Sequence, residues 1–104
     1  MFELEHSEDQ RSLTIRVSDE KFDITLAPEF RGLIESEWKD TIEAVSIDFS
    51  NVEFIDSSGV GALVSVHKRV APKGGALTII NPGPAVTSVI ELLRLHRVFA
   101  LVEG

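Results

Sequence analysis

Hydrophobic residues recur along this chain with two different periods, and the changes between them divide it into elements. Phe2 and Leu4 alternate with Glu3 and Glu5; after a polar turn at Glu8-Asp9-Gln10, Leu13, Ile15 and Val17 alternate with Thr14, Arg16 and Ser18. Such alternation marks strands with one buried face, and the short polar break predicts a hairpin. Beyond the charged connection Asp19-Glu20-Lys21, the positions Leu26, Phe30, Leu33, Ile34 and Trp38, with Ile42 after them, form a helical stripe that predicts a helix over about residues 26–39. Thr25 is placed to cap that helix and Pro28 suits its first turn. Val45, Ile47 and Phe49 then return to strand alternation with Ser46, Asp48 and Ser50, and Val52, Phe54 and Ile55 continue the apolar character.

From Val60 the apolar positions are Val60, Leu63, Val64, Val66, Val70 and Ala71, a second helix of about three to four turns. Pro72-Lys73-Gly74-Gly75 ends it, and Ala76 to Asn81 reads as a short buried strand. Asn81-Pro82-Gly83-Pro84 turns into a third helix of about three turns, carried by Val86, Val89, Ile90 and Leu93 and extending toward Arg97. The tail from Val98 to Val102 fits either a last strand or a packed extension. This order predicts one α/β domain over residues 1–104, with a small mixed sheet of four to five strands, three to four helices and right-handed crossovers between parallel strands.

Composition narrows the chemistry. A chain of 104 residues with 43% hydrophobic and 26% charged residues can build one real core. No cysteine is present, so disulfides, thiolate metal sites and cysteine nucleophiles are excluded. Neither a signal peptide nor a membrane-length apolar run stands in the sequence, and a soluble, cytoplasmic protein is expected. Of the net charge of −7, all comes from residues 1–43, with 12 acidic and 5 basic groups; residues 44–104 carry 5 of each. Without a basic stripe, nucleic acid is not an expected partner. The acidic half serves either solubility or an acidic docking face.

The period changes at Asp56-Ser57-Ser58-Gly59-Val60-Gly61, where strand gives way to helix. Asp56 or Ser57 can cap the helix there, a contribution of about 0.5 to 2 kcal/mol. The same place suits a phosphorylated serine, because a helix start accommodates anions and the added dianion would change the surface a partner meets. Other chemistries fare worse. His6, His67 and His96 have no metal-ligand spacing, and His67 reads as a residue at the edge of the core. Ile55-Asp56-Ser57-Ser58-Gly59 lacks the first glycine of a hydrolase elbow, and Val64 occupies the third glycine position of the run begun by Gly59-Val60-Gly61. Asp23, Asp48 and Asp56 follow strands and read as turn carboxylates. Nothing here requires an enzyme, a metal or a cofactor.

Phe54-Ile55-Asp56-Ser57-Ser58-Gly59-Val60-Gly61 resembles, without a mismatch, the signature with which STAS domains of the anti-sigma factor antagonist type open their second helix. Phe22, Asp23, Ala27 and Phe30 resemble that family's entry into its first helix, although Glu20 stands where the family has glycine. The resemblance covers nearly the whole chain and implies the STAS fold. It further implies a regulatory module that, unphosphorylated, binds an anti-sigma factor with serine kinase activity and so releases a sigma factor. The phosphate acceptor would be Ser57, with Asp56 orienting the loop, Ser58, Gly59 and Gly61 shaping the contact, and Asp23 contributing from a neighbouring loop. A serine phosphatase would reset the switch. Some members bind nucleotide loosely, so weak nucleotide binding belongs to the same expectation. The alternative on the same fold is a STAS scaffold or a transporter-associated subunit of a larger assembly.

Overall fold

The computed structural model describes residues 1–104. In chain order its elements are β1 (Phe2–His6), β2 (Ser12–Val17), β3 (Lys21–Phe22), α1 (Ala27–Glu37), β4 (Ala44–Asp48), β5 (Phe54–Ile55), α2 (Ser57–Val70), β6 (Leu77–Ile80), α3 (Pro84–Leu92) and β7 (Ala100–Val102). Short 3-10 turns follow α2 at Ala71–Lys73 and α3 at Leu95–Arg97. Five strands form the main sheet in the order β1-β2-β4-β6-β7. The hairpin β1-β2 is antiparallel and every later pairing is parallel. This is the mixed α/β sheet with three helices that the alternation of periods predicts.

The registers align the apolar positions of neighbouring strands into rows. Leu4 pairs with Ile15, Ile15 with Ile47, Ile47 with Ile79 and Ile79 with Leu101, so one row crosses all five strands. Leu13, Val45 and Leu77 make the next row. In β2 the intervening Ser12, Thr14 and Arg16 are exposed, so the sheet buries one face and leaves the other to solvent. That explains why strands paired in parallel still read as alternating rather than continuously apolar, as strands covered on both faces would. Ala27, Phe30 and Ile34 of α1, five residues of α2 and Val86 and Ile90 of α3 belong to a single cluster of 24 buried residues.

Three sequence expectations need correction. The first helix spans Ala27–Glu37 rather than 26–39, because Trp38 has left it for extended backbone at φ −71° and ψ 136°. Thr25 does not cap it: the N-cap position is Leu26, without a side-chain bond, and the Thr25 hydroxyl donates instead to Asp23 Oδ1 at 2.6 Å. The third helix stops at Leu92 instead of running on toward Arg97. Arg94, at φ 60°, turns the chain out of the helical path. The tail resolves as strand β7 along β6, although it is only three residues long.

One feature positions the switch of period. Two-residue strands β3 and β5 pair in parallel, Lys21 with Phe54 and Phe22 with Ile55, apart from the main sheet. Phe22 is fully buried and holds this ribbon down, its ring 5.0 Å from Phe30 and 5.1 Å from Phe49. Aromatic pairs at such separations add about 0.5–1.5 kcal/mol each beyond their burial. The ribbon brings the loop after Phe22 beside the start of α2.

Candidate functional site

Asp56 is the structural centre of the site. Its extended backbone (φ −117°, ψ −174°) makes it the N-cap of α2, and its Oδ1 accepts the Gly59 N–H at 2.9 Å. Its Oδ2 accepts the Ile24 N–H at 3.1 Å, from the loop that precedes α1. One carboxylate therefore starts the helix and fastens a second loop to it. This decides between the two capping candidates: Asp56 supplies the cap, so Ser57 is not needed for it. Ser57 is the first residue of α2 and is exposed, whereas Ser58 is half-buried.

Asp23 shapes the neighbouring loop. Its Oδ1 accepts both the backbone N–H and the hydroxyl of Thr25, at 3.1 and 2.6 Å, and its carbonyl accepts the N–H groups of Leu26 and Ala27. The Thr25 hydroxyl is the main reason that the Asp23 carboxyl is held below its ordinary value of 3.8. Asp23 and Asp56 thus act on the same loop from opposite ends, Asp23 from within and Asp56 across the gap to Ile24. Asp48, the other carboxylate that follows a strand, is held low by the Ser50 hydroxyl in a turn of its own and does not join the site.

The two glycines of the motif differ in what they face. Gly59 is buried, and a Cβ on it would lie 2.1 Å from the Phe22 carbonyl oxygen and 2.9 Å from the Ile55 and Phe22 side chains. Its lack of a side chain is what lets α2 begin directly on the β3-β5 ribbon. Gly61 is half-exposed, and a Cβ there would lie 3.1 Å from Arg31 Nη2 of α1. Ser58 lies on the side toward α1, lining a shallow cleft of about 150 Å³ with Ile24, Ala27, Pro28 and Arg31.

Glu20, the departure at the glycine position, causes no backbone strain, since it is not among the residues with positive φ. Its carbonyl accepts the N–H groups of Glu53 and Phe54 at 2.7 and 3.1 Å and so extends the ribbon by one step. What its side chain adds is charge. Glu20 and Glu53, both exposed, place it at the end of the ribbon away from α2.

Two residues of this surface are not evident in the sequence. Ile24 and Phe54 are 66% and 48% exposed, apolar side chains beside the two loops that Asp56 ties together. Phe54 followed by Ile55 carries a faint signal, because adjacent residues of a strand face opposite ways and only one of this pair can enter the core. Ile24 carries none, lying in a turn without a period. The histidines stay apart: His6 Nε2 meets Glu37 at 3.3 Å, while His67 sits edge-on to Phe99 at 6.1 Å between ring centres.

A mixed sheet with one face open to solvent, helices packed on the other and an exposed serine at the start of the second helix define a small α/β module. The STAS domain family matches residues 2–103, and the chain belongs to it. The anti-sigma F factor antagonist of Paenibacillus polymyxa is 24% identical over 62 residues, which is 60% of this chain and 53% of that protein. The chain therefore spans about half the length of this relative. An anti-sigma factor antagonist from Mycobacterium paratuberculosis shares 26% identity with a TM-score of 0.81, covering 98% of this chain and 84% of its own. The anti-sigma factor antagonist SpoIIAA in its unphosphorylated form superposes with a TM-score of 0.82 over 100% of this chain and 88% of its own, at 21% identity. No helix is long and apolar enough to cross a membrane.

Proposed function

We propose that this chain is an anti-sigma factor antagonist that acts by partner switching. In its unphosphorylated form it docks on an anti-sigma factor that is also a serine kinase, and the docking frees a sigma factor. The kinase phosphorylates Ser57, the complex separates, and a serine phosphatase restores the first state. The chain acts as substrate and partner and performs no catalysis. One observation carries this reading: Ser57 is exposed at the start of a helix whose cap is already provided by Asp56, so its hydroxyl is left open to another protein's active site.

The surroundings suit such a switch. Ile24 and Phe54 offer apolar contact next to the acceptor, the kind of side chain that anchors an interface when desolvated. Adding roughly 1.5 to 2 negative charges next to Asp56 and the Asp23 loop concentrates like charge at the contact, which opposes rebinding through repulsion and desolvation. Asp56 and Gly59 fix the backbone from which Ser57 projects, and Ser58 and Gly61 give the contact its shape.

Pull-downs from native lysate test this reading, using as baits the unmodified chain, Ser57→Ala, and the chain with phosphoserine installed at position 57. An anti-sigma factor bearing a kinase fold is expected on the first two baits and lost from the third. Equal recovery on all three, or phosphorylation of the Ser57→Ala bait by the captured kinase to the normal extent, would overturn the assignment.

A further inference from the structure

The Arg31 side chain leaves α1 and lies across the first turns of α2. Its Nη1 donates to Ser65 Oγ at 2.7 Å, and its Nη2 packs where a Cβ on Gly61 would come within 3.1 Å. Ser58, Gly61 and Ser65 are spaced by three and four residues, so they form one stripe of α2, and Arg31 lines a cleft with Ser58 as well. The neighbouring cation Arg69 is paired with Glu35 at 2.5 Å. Arg31 makes no such ion pair; its recorded partner is a neutral hydroxyl. A guanidinium with fork donors to spare is therefore held over the helix turn that follows the acceptor serine, close above Gly61.

We propose that Arg31 captures the phosphate carried by Ser57 within the same molecule, making Arg31 a positioning residue of the switched-off state. Ser57 is four residues before Gly61, about 6 Å along the helix axis, and is exposed. Swinging the guanidinium toward the phosphate exchanges the neutral bond from Nη1 to Ser65 for a charge-assisted, forked one, the stronger arrangement for arginine. The dianion is then tied to α1. Capture holds the phosphorylated form in one conformation and slows removal of the phosphate by the phosphatase.

This inference rests on the Ser57 reading, and its test separates the two by installing phosphoserine at position 57 through codon-directed incorporation, so that no kinase is needed. Phosphorus NMR then follows the second ionisation of the phosphate, which falls near about 6 for an isolated phosphoserine. Asp23 and Asp56 in the two loops, Glu20, Lys21 and Glu53 along the ribbon, and Glu35 and Arg69, which line a cleft with Arg31, are the charged groups of the elements packed here; all are common to every variant and cancel in a difference. With Arg31 present, the phosphate is expected to ionise about half a unit lower than in R31Q, the direction a nearby opposite charge imposes. Gly61→Ala, whose Cβ at 3.1 Å from Nη2 asks the guanidinium to shift by only a few tenths of an ångström, is expected to titrate as the parent protein does. Identical titration curves in the three proteins would overturn the proposal. So would a lower melting temperature for R31Q with its phosphate titration unmoved, the signature of a mere strap between α1 and α2.

Discussion

Gly59→Ala is the sharpest probe of how α2 is seated. In an open helix the change would stabilise, because glycine costs up to about 1 kcal/mol relative to alanine. At position 59 the new Cβ would instead lie 2.1 Å from the Phe22 carbonyl oxygen, with Ile55 and Phe22 side-chain carbons at 2.9 Å. Overpacking of a well-filled site typically costs about 1–3 kcal/mol, and the upper end applies when the obstructing atom is backbone that cannot rotate away. The expected net loss is about 2 kcal/mol. Gly32 of α1 provides the internal control, since nothing lies within 4 Å of the Cβ it lacks; Gly32→Ala should stabilise by roughly 0.5–1 kcal/mol. For a domain of this size 1 kcal/mol moves the melting temperature by about 4–8 °C, so the two substitutions should shift it in opposite directions. Thermal unfolding followed by circular dichroism reads both. Faster exchange of the Ile24 amide proton in Gly59→Ala would locate the damage at the Asp56 bridge. A Gly59→Ala protein as stable as Gly32→Ala would refute the close approach of helix and ribbon, and with it the account of why a glycine stands there.

Other predictions follow from the same surface. Ile24→Ser and Phe54→Ser remove exposed apolar groups, so each should change folding stability by no more than about 0.5 kcal/mol while weakening the partner complex at least about tenfold; calorimetric affinities that match wild type would exclude these side chains from the interface. Asp23 and Asp48 are held below their ordinary carboxylate value of 3.8, chiefly by the hydroxyls of Thr25 and Ser50. A depressed folded pKa contributes stability that is complete above the unfolded value and is lost as pH falls through the folded one. Stability should therefore decline below 3.8 toward the lower folded values, and Thr25→Ala and Ser50→Ala should each flatten that decline. Urea titrations across this range check the slope, and unchanged slopes in both variants would refute the cause assigned.

The main sheet was legible because its strands keep one face open. Val45 and Ile47 alternating with Ser46 and Asp48 state both the strand and its orientation, and the registers then follow from matching apolar rows. The junction at Asp56 was legible from chemistry as well as period. What escaped notice depends on long-range contact. Lys21–Phe22 and Phe54–Ile55 are too short for any period, and pairing across more than 30 residues makes them strands. Thr25 reads as a cap from its position alone, yet Asp23 two residues earlier takes its hydroxyl first. The end of α3 lacks the expected glycine, since Arg94 adopts the left-handed conformation itself. Ile24 is legible only once Asp56 has drawn its loop onto the start of α2.

The central claim is that the charge state of one exposed hydroxyl decides between attachment and release. The most direct measurement is the affinity of the purified kinase partner for this chain, unmodified and with phosphoserine at position 57, by isothermal calorimetry at fixed ionic strength. Loss of at least about a hundredfold on phosphorylation, equivalent to about 2.8 kcal/mol, is expected. Equal affinity for the two forms would contradict the account.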